Sequence, residues 1–265
     1  MKFLSQKKGF LGYDANQDIE AKVIIVPFGL EKTVSYGSGT KNGPKEIIKA
    51  SHQVELFDEE LNKEPYKEIL SQNKFPLIFG GEHSITPGSL KPFVNKYNQI
   101  TLLHFDAHAD LRETYQGEKF SHASAIKRCL DFKNVNVVSF GIRNLSQPEM
   151  DFYNNNRNRI EIFWGKDKKN WDLSQLDKFF KDKTVYITFD VDGFDASIMP
   201  ATGTPEPGGF LWEDVLPIIK KVCEISNIVG ADINELAPIK NFNSYNFLVA
   251  KLAYKILSYT FEFKK

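Results

Sequence analysis

The sequence predicts an α/β fold: three layers, α-β-α, with a mostly parallel central sheet. Three observations predict it. Apolar, strand-like runs alternate with helix-like segments through most of the 265 residues, the pattern of a parallel sheet clad by helices. Several runs are nearly continuous in apolar residues, as strands covered on both faces are. The residues able to do chemistry sit just past the ends of such runs, where ligands bind in open α/β sheets.

In chain order, a strand is expected at residues 22–27, then helices at 44–54 and 65–72, both opening on a proline. The run Phe-Pro-Leu-Ile-Phe gives a strand at 75–79, followed by a helix at 85–97 and a strand at 100–105. Helix 123–131 leads to strand 135–140, helix 148–155 to strand 160–164, and helix 173–181 to strand 185–189. Helix 212–225 precedes strand 228–233. A last helix at 246–263 keeps Lys251, Lys255, Ser258 and Glu262 on one narrow stripe, the rest being largely apolar. So apolar a helix is buried, either against the sheet or against another subunit. With no repeat, low-complexity tract or long linker, residues 1–265 read as a single domain.

Composition narrows the function. Hydrophobic residues make up 42% and charged residues 26%, values of a soluble globular chain. Lysine plus arginine equals aspartate plus glutamate at 34 each, which gives no electrostatic case for nucleic acid or an anionic membrane. Cys129 and Cys223 lie far apart and form no CxxC motif, pointing to a reducing cytosol. The opening residues lack the apolar core of a signal peptide, and no apolar run reaches the ~18 residues of a membrane helix. A cytoplasmic location is expected.

Three strand ends deliver six metal-seeking side chains: His83 in Gly80-Gly81-Glu82-His83-Ser84, then Asp106, His108 and Asp110 in Asp106-Ala107-His108-Ala109-Asp110, then Asp190 and Asp192 in Asp190-Val191-Asp192-Gly193. Oxygen ligands with one imidazole per ion suit a pair of Mn²⁺ ions better than Co²⁺, Ni²⁺ or Fe²⁺. A structural zinc site is more often closed by cysteines, and none is nearby. Singly, any of these residues reads equally well as a helix cap or a satisfied polar group; together they do not. Four of the five histidines fall between positions 83 and 122. His104 alternates away from Phe105 and reads as core or as support behind the ligands; His52, in a helix without a partner motif, reads as structural. Two divalent ions and four aspartates cancel in charge, so with a deprotonated water between the ions and Glu235 nearby the site favours a cationic substrate.

These motifs resemble the three signatures of the ureohydrolases, the arginase/agmatinase family, and the run Ala201-Thr202-Gly203-Thr204-Pro205-Glu206-Pro207-Gly208-Gly209 extends the third. Weaker similarity from Ser35-Tyr36-Gly37 to Glu235-Leu236-Ala237-Pro238 covers most of the chain. The resemblance implies an arginase-like fold and two Mn²⁺ ions, one on His83, Asp106, Asp110 and Asp190 and the other on Asp106, His108, Asp190 and Asp192, with Asp106 and Asp190 bridging. It implies a proton-shuttling role for His122, a guanidinium-pairing role for Glu235, and a trimer or hexamer. Asp110 is expected to accept a hydrogen bond from the attacking hydroxide.

The Pro-Glu-Pro-Gly-Gly form of the late loop resembles agmatinases, and the loop from Leu111 to Ser121 lacks the Asn/Ser/Thr-rich character with which arginases hold a carboxylate. Agmatine hydrolysis to putrescine and urea is therefore the leading expectation. Guanidinobutyrate, arginine or formiminoglutamate as substrate, and a catalytically silent relative, are the alternatives. A dimetal phosphoesterase also uses Asp-x-His, but draws further histidines from late strands, and none follows His122. Glu113 and Glu118 read either as partners of a substrate amine or as solvated charges. About twenty residues separate Asp58 from Gly80, fewer than the family pattern, which implies a trimmed edge element at a subunit contact or pocket wall. Ala123 follows His122 where many members have glycine.

Overall fold

The computed structural model describes residues 8–12, 23–65 and 75–264. Among them seven strands form one sheet: β1 (Val23–Phe28), β2 (Phe75–Gly80), β3 (Ile100–Phe105), β4 (Val135–Phe140), β5 (Ile160–Phe163), β6 (Thr184–Asp190) and β7 (Asn227–Asn234). Their order is β1-β2-β7-β6-β3-β4-β5, and every pairing is parallel. All seven expected strands form, with ends shifted by a residue or two; residue 22 lies outside the described residues.

Helices α1 (Gly43–Ser51), α2 (Thr86–Lys96), α3 (Ala125–Leu130), α4 (Gln147–Asn155), α5 (Leu176–Phe180), α6 (Trp212–Ile225) and α7 (Asn243–Glu262) cover both faces. Helices α2, α3 and α5 start later than expected because a 3₁₀ turn precedes each, at His83–Ile85, His122–Ser124 and Leu173–Gln175. Two of those turns place His83 and His122 at a helix entrance. Apart from Pro65, the expected helix at 65–72 lies outside the described residues.

Strand alternation sorts the core into two layers. Leu103, Phe105, Ile187 and Phe189 face one side, packed with residues of α1, α6 and α7 such as Ile47, Ile219 and Leu252. Leu102, Val137 and Tyr186 face the other, with Leu90 of α2 and Ile126 of α3. Phe105 centres an aromatic cluster beneath the site, stacked 4.9 Å from Phe189 and 5.7 Å from Phe140, with Phe210 edge-on at 5.8 Å. Burying each such ring stabilises the fold by about 1.5–3 kcal/mol.

Helix α7 is consumed within the chain, and half of its polar stripe is buried too: Lys255 and Ser258 have no exposure, while Lys251 and Glu262 are half-buried. The segment after α1 lies along it. Lys255 Nζ contacts Asp58 Oδ1 at 3.0 Å, Glu59 Oε1 at 3.1 Å and Glu60 Oε1 at 3.5 Å. The hydroxyls of Tyr254 and Tyr259 donate to the Leu56 carbonyl and to Glu60. Of the two burial modes expected for α7, intramolecular packing is the one observed. No helix among the described residues is long and apolar enough to cross a membrane.

Burial pulls the Lys255 ammonium down, but its bonds to Asp58 and Glu59 outweigh that and hold its pKa above the usual lysine value. Its stabilising contribution is thus complete below the unfolded value of about 10.4 and fades only as pH rises through the raised folded value. Lys255→Met strands buried Asp58 and should cost about 3–5 kcal/mol in urea unfolding at pH 7. The double variant Asp58→Asn/Lys255→Met should recover a large part of that loss; an undiminished midpoint in the single variant would refute the role given to this pair.

Candidate active site

The site lies beyond the carboxyl ends of β2, β3, β6 and β7, and the sheet register prepares it. Ser139 pairs with His104 across β4 and β3, His104 with Thr188 across β3 and β6, and Thr188 with Asp232 across β6 and β7. One row of four polar side chains therefore runs beneath the mouth on a single face. His104 Nδ1 contacts Ser139 Oγ at 2.9 Å and its Nε2 contacts Asp106 Oδ2 at 2.9 Å, so His104 supports an aspartate.

Backbone proximity brings His83 to that row. Gly81 N donates to the Phe28 carbonyl at 3.0 Å, and Glu82 N to the Leu30 carbonyl at 2.7 Å. A Cβ on Gly81 would sit 1.9 Å from the Leu30 carbonyl oxygen, and one on Gly80 would sit 2.0 Å from Asn234 Oδ1. Only glycines permit this approach. Two further residues take left-handed backbone, Asp110 with φ 51° and Glu235 with φ 66°. Such strain costs on the order of 1–3 kcal/mol each and persists where surroundings enforce it. Here Lys127 N holds the Asp110 carbonyl at 2.9 Å, and Glu235 N donates to the Gly81 carbonyl at 2.7 Å.

All six expected ligands converge. Thr188 Oγ1 donates to Asp232 Oδ1 at 2.6 Å, so it accepts from His83 Nε2–H at 2.9 Å. That assigns one proton to Nε2 and leaves the Nδ1 lone pair for a second proton or a metal ion. Nδ1 faces Asp110 Oδ2 at 3.1 Å, Asp106 Oδ2 at 3.2 Å and Asp190 Oδ2 at 3.5 Å, none in hydrogen-bond geometry, and it is buried. Similarly, His108 Nδ1 lies 3.0 Å from Asp192 Oδ2 and 3.5 Å from Asp106 Oδ1. A lone pair aimed at carboxylate oxygens is repulsive unless a proton or a metal ion stands between them. Asp106, His108 and Asp192 offer ligand atoms within 4.8 Å of one another, a spacing able to hold a metal.

The electrostatics carry the same demand. Burial pushes Asp190 well above the usual carboxylate range, with Asp192 and Asp106 adding repulsion. Burial and Asp106 raise Asp110 to about 7. Asp192 is also raised, by burial against the pull of His108. Asp106 is held low, because the hydrogen bond from His104 and the imidazoles of His108 and His83 beside it outweigh its burial. Burial pulls both imidazoles down, yet the carboxylates prevail: His83 ends well above its usual value and His108 at about 12. Four crowded carboxylates borrow positive charge from the histidines. Divalent cations supply more of it, so the residues fit a metal pair.

Glu235 is buried, and its Oε1 accepts from His83 N at 2.7 Å. Burial raises it to about 8 against that bond. His122 stands apart from the ligands: Nδ1 meets Thr33 Oγ1 at 3.1 Å, Nε2 meets Ser35 Oγ at 2.7 Å, and Tyr115 packs edge-on at 5.2 Å. Burial lowers its pKa, with Glu82 opposing, so the imidazole is neutral at pH 7. His83, His108, Asp110, Asp190, Asp192, His122 and Glu235 line one cleft of about 220 Å³, whose outer wall includes Tyr36 and Tyr115. That volume suits a small ligand.

Several contributors carry no sequence signal of their own. Glu82 accepts from Lys32 N at 2.7 Å, Thr33 N at 2.6 Å and Ser84 Oγ at 2.6 Å, fixing the loop that holds His122. Thr188 and Asp232 were legible only as polar breaks in apolar strands. Glu113 pairs with Lys127 and Arg128, each at 3.0 Å, and Glu118 with Lys32 at 3.2 Å; neither lines the cleft. Arg112 does line it, with Nε 3.6 Å from Glu149 Oε2. His52 bonds the Gly9 carbonyl at 2.8 Å and is structural.

The sequence model described as the arginase family matches residues 60–258. The chain is 30% identical over 296 aligned positions to an N(1)-aminopropylagmatine ureohydrolase of Synechocystis sp., covering 97% of this chain and 95% of that one. It is 32% identical to an agmatinase of Bacillus cereus, covering 83% and 85%. Among solved structures, the agmatine ureohydrolase of Thermoplasma volcanium superposes with a TM-score of 0.80 at 25% identity, covering 97% and 95%. Together with the fold and the Asp/His cluster, these similarities show that the chain belongs to the arginase family of hydrolases.

Proposed function

We propose that this protein hydrolyses the guanidinium group of agmatine to urea and putrescine, with two Mn²⁺ ions as its cofactor. The observation that carries the reading is the His83 Nδ1 lone pair, buried and facing three aspartate oxygens within 3.5 Å. His83, Asp106, Asp110 and Asp190 would hold one ion, and Asp106, His108, Asp190 and Asp192 the other. Two divalent ions supply the acidity that makes water a nucleophile near neutral pH, where free water with a pKa of ~15.7 is not.

A guanidinium carbon is a poor electrophile because resonance spreads its charge, so the residues must fix it at close range. Glu235, raised to about 8 by burial, gains most from a cationic partner and pairs with the guanidinium through charge-assisted hydrogen bonds. Asp110 accepts the hydrogen bond of the attacking water. When the C–N bond breaks, its electron pair goes to the leaving amine nitrogen, which needs a proton. Asp110 delivers the proton it has taken from the attacking water, or neutral His122 passes on one it first accepts from solvent; Ser35, bonded to His122 Nε2, lines the same cleft. Arg112 offers little to a substrate carboxylate while Glu149 offsets its charge, and agmatine carries none.

Agmatine bearing an N-aminopropyl extension is a second reading. It is supported by similarity to the Synechocystis protein across 97% of this chain, and by a rim where Tyr36 is 78% exposed. Its amine product would be a triamine in place of putrescine.

Four outcomes are expected. Protein stripped with a chelator should be inactive, and Mn²⁺ should restore release of urea and putrescine in equal amounts from agmatine. A screen including the aminopropyl compound, guanidinobutyrate, arginine and formiminoglutamate ranks the substrates by kcat/KM, and a preference for arginine would overturn the choice of agmatine. Asp190→Ala should abolish turnover and lower bound Mn²⁺; full activity with intact metal would contradict the assignment of Asp190 as a residue that would hold both ions. His122→Ala should reduce kcat about 10²–10⁴-fold with unchanged metal content, and a wild-type kcat would remove His122 from proton transfer.

A further inference from the structure

Arg143 lies three residues past the end of β4 and is half-buried, and among the described residues its guanidinium hydrogen-bonds no carboxylate. Its donors go to backbone carbonyls. Nη2 donates to Asp192 O at 2.8 Å, Glu206 O at 2.9 Å and Phe194 O at 3.2 Å; Nη1 to Gly141 O at 3.1 Å and Gly193 O at 3.4 Å; Nε to Pro207 O at 3.0 Å. Its own backbone N–H donates to Ala107 O at 2.9 Å. One residue thus joins the loop of His108, the loop of Asp192 and the loop of Glu206. Its neighbour Asn144 completes the joint, donating from Nδ2 to Glu206 Oε1 at 2.6 Å and leaving that oxygen 3.9 Å from His108 Nε2.

The other half of the cluster is held differently. His83 is oriented by Thr188 and by the Gly80-Gly81 approach, and Asp110 by Lys127 N; Arg143 bonds none of these. The residues peculiar to each ligand set, His83 and Asp110 on one side and His108 and Asp192 on the other, therefore have separate mechanical supports, while Asp106 and Asp190 are common to both. Resting on the reading that the cluster takes two divalent ions, we propose that Arg143 is a positioning residue for one cation position only, that of His108 and Asp192. Its backbone N–H fixes the residue to the Ala107 carbonyl and its guanidinium holds the Asp192 carbonyl, so the side chain sets the distance between the two ligands peculiar to that position. Supports behind metal ligands typically contribute 10–100-fold in affinity, on the order of what one position should lose here.

The test is equilibrium dialysis of the whole metal-stripped protein against Mn²⁺ alone, with electron paramagnetic resonance to distinguish spin-coupled pairs from single ions. Wild type should bind two ions with a coupled signal. Arg143→Met should keep one ion at wild-type affinity and bind the second about 10–100-fold more weakly, showing an isolated-ion spectrum that converts to the coupled one at high Mn²⁺. Arg143→Lys should fall between them. Two ions at wild-type affinity in both variants, or an equal loss at both positions, overturns the inference. So does collapse of the circular dichroism in both, since Arg143 would then hold the scaffold. If wild type itself binds no Mn²⁺, the functional reading fails, and that result is distinct from the others.

Discussion

Four aspartates and two histidine Nδ1 atoms converge in a buried space whose carboxylates cannot all be ionised without added positive charge. The rest of the site follows from that constraint. His83 has three aspartate oxygens within 3.5 Å of a nitrogen whose lone pair points at them. Burying such a group is costly unless a cation joins the set. The supporting bonds all act to hold the repelling groups in place: His104 and His108 N on Asp106, Ala107 N on Asp192, and Asp192 N on Asp190.

The parallel sheet makes this arrangement affordable. Its strand ends present side chains from β2, β3, β6 and β7 to one point without any long excursion of chain. The aromatic cluster around Phe105 and the helices on both faces fix the strands beneath. The local costs, left-handed Asp110 and Glu235 and the glycine contacts at β2, are borne by that scaffold. Residues that would hold metal come from two independently braced groups of loops, while His122 is held by a third, the Thr33–Ser35 loop anchored on Glu82.

Much of this was legible in the sequence. Hydrophobic runs marked every strand; in the central ones, covered on both faces, there is little room for polar residues, while edge strand β1 keeps its apolar run with Val26 and Phe28 exposed. The three ligand motifs stood out because charged groups so close to apolar runs have few uses other than chemistry. What was not legible depends on contacts distant in sequence. The 3₁₀ turns at His83 and His122 are set by tertiary packing, and hydrophobic periodicity does not register them. Lys255 looked like one point of a polar stripe, yet it is buried because residues 58–60 lie over it. Arg143 resembles an ordinary surface charge until the loops it joins are in place, and Glu82, though inside a motif, gives no sign of the distant loop it anchors. The row Ser139, His104, Thr188, Asp232 becomes visible only through strand order and register.

The most direct measurement is anomalous diffraction at the manganese edge from crystals grown with Mn²⁺. This account predicts two peaks about 3.5–4 Å apart, one against His83 Nδ1 and Asp110 and the other against His108 Nδ1 and Asp192, with Asp106 and Asp190 between them. A well-ordered cleft showing no anomalous density, with the four aspartates turned away from one another, would contradict it.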